Sequence, residues 1–112
     1  MLKTLFKKSY KSISPNEARE RLRTNKTAIL LDVRSPAEYA ELHIPNSKLL
    51  PLDKLQSNIA KIVNDKDAEI IVHCHSGARA TTACNLLSKM GYTNVSNLGG
   101  IVSWPYETES GK

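Results

Sequence analysis

Apolar and polar positions run along this chain in two rhythms. Short β-branched or leucine-rich runs occupy 28–33, 48–50 and 69–74, with a further one at 94–97. Ile29-Leu30-Leu31 and Ile70-Ile71-Val72 are continuously apolar, as strands covered on both faces should be. Between these runs the spacing turns helical. Leu55, Ile59, Ile62 and Val63 share one face, while Ala80, Ala83, Cys84, Leu87 and Met90 share another. Three helix starts are signalled. Ser14-Pro15-Asn16-Glu17 and Ser35-Pro36-Ala37-Glu38 are capping boxes with proline at the first helical position. Asp53-Lys54-Leu55-Gln56 is a looser version of the same signal. Gly91 is expected to stop the helix after Met90, and a short strand is expected before Ser14. Strands separated by helices in this order predict an α/β fold, a mainly parallel sheet with helices on both faces.

The chain has 112 residues, which suits one domain and is too short for two. No apolar run approaches the length of a membrane span, so no membrane crossing is expected. The charge is unevenly placed. Residues 1–26 carry eight Lys or Arg against Glu17 and Glu20, giving +6, whereas the rest carries eight against nine, giving −1. The basic character therefore belongs to the N-terminal part. Leu2, Leu5, Phe6 and Tyr10 fall roughly on one helical face there, and they are read as a solvated segment with a few docking residues. The expected organisation is a basic N-terminal segment at 1–12, one domain at 13–106 and a frayed tail at 107–112. No continuous apolar stretch follows the first lysine, so a secretory signal is not expected and the cytoplasm is the expected location. Nucleic-acid binding is disfavoured by the scarcity of aromatics and the lack of a reading motif.

Chemistry concentrates in one place. The run at 69–74 delivers Cys74 to a strand end, the loop His75-Ser76-Gly77-Ala78 follows, and a helical pattern begins near Arg79. Helix N-termini leave N–H groups unpaired and carry partial positive charge, which stabilises a thiolate. Gly77 lets several N–H groups converge on one anion, and Arg79 adds a permanent charge with a fork of donors. Cys74 is thus the candidate nucleophile, and His75, Ser76, Gly77, Ala78 and Arg79 form its anion-binding loop. Cys84 falls in the core stripe and is read as packing. Ligands of open α/β sheets bind beyond the carboxyl ends of strands, so Asp32 and Arg34, at another strand end, are candidates to support the loop. Pairing with each other is an equally good account of both. His73, Cys74 and His75 invite a metal reading, but strand alternation turns Cys74 away from the two histidines, and no metal or other cofactor is expected.

Three stretches resemble one family. Leu31-Asp32-Val33-Arg34-Ser35-Pro36-Ala37-Glu38-Tyr39 with His43-Ile44-Pro45 resembles the N-terminal signature of rhodanese-like domains. Residues 74–79 resemble their active-site loop, and Gly99-Gly100-Ile101-Val102-Ser103-Trp104 resembles their C-terminal motif. The order and spacing match a single-domain rhodanese from about 13 to 104. The resemblance implies a five-stranded parallel sheet and a cysteine that carries sulfane sulfur as a persulfide. It implies a small-molecule donor, thiosulfate or a persulfide, and a thiol or cyanide acceptor. A protein acceptor, with the domain serving as a sulfur-relay module, is the alternative that the basic N-terminal part suggests. The family also includes phosphatases with one more residue between cysteine and arginine. Four residues lie between Cys74 and Arg79, and this smaller ring favours sulfur over a phosphoryl group or arsenate. Three positions depart from the usual pattern: Leu42 and Asn46 stand where glycine is usual, and Ala80 where a hydroxyl residue is common. His75 occupies a loop position at which a permanent positive charge would suit thiosulfate, so a donor activity that varies with pH is expected.

Overall fold

The computed structural model describes residues 10–111. Its strands are β1 (Lys11–Ser12), β2 (Ile29–Asp32), β3 (Lys48–Leu49), β4 (Ile70–Cys74) and β5 (Val95–Gly100). Its helices are α1 (Pro15–Thr24), α2 (Pro36–Glu41), α3 (Leu52–Ile62) and α4 (Ala78–Lys89), followed by a 3₁₀ turn at Ile101–Ser103. The five strands form one parallel sheet in the order β1-β5-β4-β2-β3. β4 lies at its centre and is buried along its whole length, which explains its unbroken apolar run.

Helices cover both faces, and alternation along the strands divides the core accordingly. Leu31, Val33, Val72 and Cys74 meet Leu55 and Ile59 of α3 and Ala80, Ala83, Cys84 and Leu87 of α4. Leu30, Ile71 and Leu98 point the other way, towards Ala18 of α1, with Ile44 and Ile101. Both capping boxes form. Ser14 accepts from Glu17 N and Ser35 from Glu38 N, each with the reciprocal glutamate contact. Gly91, at φ +99°, turns the chain just past α4.

Three expectations are revised. α3 starts at Leu52, not at an Asp53 cap: Pro51 holds the N-cap position with no side-chain cap bond, and Leu52 N donates to Val33 O at 3.1 Å. Asp53 sits inside the first turn, where its charge suits the helix dipole. The last strand runs on to Gly100 because a bulge intervenes. Val72 pairs with Asn97 and His73 with Gly99, leaving Leu98 unmatched. The tail through residue 111 is tied down rather than frayed. His43 and Glu109 exchange two backbone bonds of 2.8 Å, and Gly111 N donates to Ala40 O at 2.7 Å. At the other end, Tyr10 packs against the core and Lys11–Ser12 joins the sheet as β1. Leu2, Leu5 and Phe6 lie outside the described residues.

Candidate active site

The sheet sets the position of the cysteine. Cys74 is the last residue of β4 and is 1% exposed, its side chain on the α3–α4 face. The chain then loops through exposed His75, Ser76 and Ala78 and enters α4 at Ala78. Gly77, at φ +121°, takes the cap position of this helix, a conformation that costs a side-chain-bearing residue. The consequence is geometric. Gly77 N donates to Cys74 Sγ at 3.0 Å and Ala80 N donates at 3.3 Å, both from the positive end of α4. Two N–H dipoles aimed at one sulfur form a cradle for an anionic sulfur atom.

The Gly-Gly pair makes room for this loop. The β5 bulge is held by Asn97 Oδ1, which accepts Gly99 N at 2.8 Å, and it brings Gly100 beside Cys74. A Cβ on Gly100 would stand 2.6 Å from Ser76 Cα and would also strike the His75 carbonyl. Val102 N, from the 3₁₀ turn, donates to His75 O at 3.2 Å and pins the loop from above. These glycines belong to a recognised motif, but their task emerges only when β4 and β5 are seen to be neighbours.

Arg79 does not point freely at the sulfur. Its Nη1 and Nη2 donate to Glu38 Oε1 and Oε2 at 2.8 and 2.9 Å, a bidentate pair joining α4 to α2. Glu38 Oε1 also accepts Ser35 N at 2.9 Å, so one carboxylate caps α2 and braces the cysteine loop. The Arg79 contact holds the Glu38 carboxyl well below the usual carboxylate range, and Glu38 in turn raises Arg79. In the sequence Glu38 stands in a capping box and in the family signature, and nothing there pairs it with Arg79.

Asp32 and Arg34 are paired to each other and buried. Arg34 Nη2 donates to Asp32 Oδ2 at 2.8 Å, and Arg34 Nε and N both donate to Oδ1 at 3.0 Å. Arg34 Nη2 also donates to Leu42 O at 2.6 Å. Asp32 shares its register position with His73, on the face opposite Cys74, and His73 Nε2 stands 3.6 Å from Asp32 Oδ2. Burial lowers the His73 pKa below its ordinary value, against the opposing pull of Asp32. The Arg34–Asp32 pair is the bonded unit here, and His73 Nε2 lies buried beside it without a hydrogen-bond partner. The closeness of His73 to Asp32 is not legible in the sequence, because strand order cannot be read from periodicity. Cys84 is a free thiol on the α4 core face, and burial pushes it up to about 12. Among the described residues, no three His, Cys, Asp or Glu side chains converge as metal ligands.

The departures from the family pattern have a backbone explanation. Asn46 adopts φ +69°, the left-handed region that asparagine tolerates. Leu42, at φ −166°, is extended, so no glycine is needed there. Ala80 contributes its N–H to the sulfur, which requires no side chain. Two open clefts flank the loop. One, of about 500 Å³, is lined by Arg34, Ser35, Pro51, Lys54 and Arg79. The other, of about 490 Å³, is lined by Ser76, Gly77, Ala78, Thr81 and Gly99.

A cysteine-bearing loop at the carboxyl edge of a parallel sheet, with two N–H groups turned to the sulfur, places the chain in a class of α/β proteins built around such a loop. Residues 14–106 match the model of one such family, the rhodanese-like domain, and the chain belongs to it. A sulfurtransferase of Allochromatium vinosum is 38% identical over 76% of this chain and 78% of its own. The thiosulfate sulfurtransferase GlpE of Ectopseudomonas mendocina is 36% identical over 91% of this chain and 94% of its own. Among solved structures, a rhodanese with anions from E. coli superposes with a TM-score of 0.71 at 33% identity, covering 75% of this chain and 99% of that one.

Proposed function

We infer that this chain is a sulfurtransferase in which Cys74 is the sulfur carrier. The observation that carries the reading is the pair of N–H donors, Gly77 and Ala80, directed at Cys74 Sγ within a loop of four intervening residues. The Cys74 thiolate attacks the sulfane sulfur of thiosulfate, or the outer sulfur of a persulfide. A new S–S bond forms as the donor's S–S bond breaks, and sulfite or a thiolate leaves with the electron pair. The resulting persulfide anion lies in the N–H cradle. A thiophile, cyanide or a thiolate, then attacks the outer sulfur, and the Cys74 thiolate departs unchanged. Two half-reactions through one covalent intermediate give ping-pong kinetics.

Around this chemistry the other residues have supporting roles. His75, Ser76 and Ala78, exposed along the loop, meet the donor, while Arg79 and Glu38 fix the loop's shape. Asp32 and Arg34 hold the neighbouring strand end, and no cofactor takes part. The tight loop disfavours phosphoryl or arsenate chemistry, which needs donors for several oxygens. The names of the two relatives above support both the reaction class and thiosulfate as a donor. No helix among the described residues is long and apolar enough to cross a membrane. Two unpaired thiols suit a reducing compartment, and the reading places the chain in the cytoplasm.

Intact-protein mass spectrometry after brief exposure to thiosulfate tests the reading. The expected result is a gain of one sulfur atom that cyanide removes and that Cys74→Ser lacks. A Cys74→Ser protein that still transferred sulfur would overturn it.

A further inference from the structure

A groove of about 430 Å³ lies away from the cysteine loop, between α1 and the chain that follows the 3₁₀ turn. Its floor is apolar, built from Leu22, Ile44 and Trp104. Its rim is cationic, with Arg19, Arg23 and Lys26 on one side. The described residues contain five arginines, and four of them face a carboxylate: Arg21 with Glu69, Arg23 with Glu20, Arg34 with Asp32 and Arg79 with Glu38. Arg19 is the exception. Its guanidinium lies 4.4 Å over the Tyr106 ring, and no carboxylate among the described residues pairs with it or with Lys26. Arg19 and Lys26 are both exposed. An apolar floor under unneutralised cations is complementary to a ligand with apolar side chains and negative charge.

We propose that this groove docks an acidic segment of a partner protein, carboxylates meeting Arg19 and Lys26 and an apolar side chain resting against Leu22 and Trp104. The proposal rests on charge and surface shape and is independent of the sulfur-transfer reading. A second copy of this chain is the wrong occupant, because it brings a net charge of +5 to a basic surface. Single-stranded nucleic acid fits less well, since it needs open aromatic faces. Here Arg19 covers one face of Tyr106, Trp104 packs edge-on against Tyr106 at 5.0 Å, and Trp104 Nε1 donates to Glu107 O at 3.1 Å. Glu107, exposed on the same rim, is the one carboxylate in the groove lining, so the acidic side chains of the partner are placed at Arg19 and Lys26, away from it.

Trp104 is the sole tryptophan, so its fluorescence reports on the groove directly. The full chain would be titrated with a short peptide of alternating glutamate and leucine, with its glutamine counterpart, and with oligothymidylate. The expected result is a saturable change in Trp104 emission with the acidic peptide. That affinity should fall about tenfold or more with the glutamine peptide, and likewise in the double variant Arg19→Glu, Lys26→Glu or at raised salt. Thiosulfate loading of Cys74 should be unchanged in the double variant, whose altered side chains lie outside the cysteine loop. Equal affinity of wild type and double variant, or tighter binding of oligothymidylate than of the acidic peptide, would overturn the proposal. Failure of the wild type to load sulfur on Cys74 from either thiosulfate or a low-molecular-weight persulfide, with peptide binding intact, would sink the sulfur-transfer reading alone.

Discussion

Gly100 shows how far one position controls the site. Its α-carbon faces backbone, not flexible side-chain ends, so an added methyl group cannot be absorbed by a rotamer change. In Gly100→Ala the loop from His75 to Ser76 must move, and the Gly77 N–H moves with it. A displacement on the order of 1 Å is expected to lower kcat/KM for sulfur transfer by about 10²-fold, with a lower Tm. Steady-state kinetics beside a thermal melt check this, and an unchanged kcat/KM would release Gly100 from that role. His73 offers a second test at this scale. Burial depresses its pKa below the ordinary 6.5, so on acidification the unfolded chain takes up the proton first. Stability tied to neutral His73 is complete above about pH 6.5 and is lost as pH falls from there through the lower folded value. Tm should therefore decline below that point in the wild type, and less steeply in His73→Asn. Parallel Tm–pH curves would show that His73 is not the group responsible.

At the scale of elements, α2 shows what a local signal delivers and where it stops. It has six residues, none of them buried, so it is held by its capping box and by the pair with Arg79. Both groups in that pair are partly exposed, at 38% for Arg79 and 32% for Glu38, so solvent screening keeps its contribution to about 1 kcal/mol or less. Because the folded-state pKa of Glu38 is depressed from 4.5, that contribution is complete above the unfolded value and fades as pH falls through the folded one. Glu38→Gln should thus melt below wild type at neutral pH, with the gap closing in acid. A gap independent of pH would assign the loss to the cap alone. The capping boxes were legible because their partners stand three residues apart. The Glu38–Arg79 pair was not, since it spans 41 positions and depends on α2 and α4 being brought together. α3 was misjudged at its start for a similar reason: its first N–H is held by Val33 O, a partner that local sequence does not reveal.

For the whole molecule, the parallel sheet and its two covered faces followed from the alternation of continuous apolar runs with helical stripes. Strand order and the β5 bulge did not, because pairing partners leave no mark on periodicity, and with them went the reason for Gly100 and the neighbour of His73. The chain end is the clearest case. Residues 107–111 carry few apolar side chains, so pattern reading makes them a loose tail. In the fold they cross the loop after α2, where backbone bonds form whatever the side chains are. His43 anchors this crossing: it stacks on Tyr39 at 3.9 Å, its Nδ1 lies 2.7 Å from Tyr39 O, and its Nε2 lies 3.1 Å from Glu109 Oε2. Leu42, one residue earlier, offers its carbonyl to Arg34, so the tail closes over the support of the β2 strand end. Three backbone hydrogen bonds tie it there, two at Glu109 and one at Gly111. At a net of about 1 kcal/mol each, removing residues 107–112 should cost about 1–3 kcal/mol. Chemical denaturation of the truncated chain measures that loss, and amide exchange at His43, Glu109 and Gly111 should slow together in the full chain. Fast exchange at these three amides, with no loss on truncation, would return the tail to solvent. Slow exchange with the expected loss would make it the outer support of the β2–α2 loop.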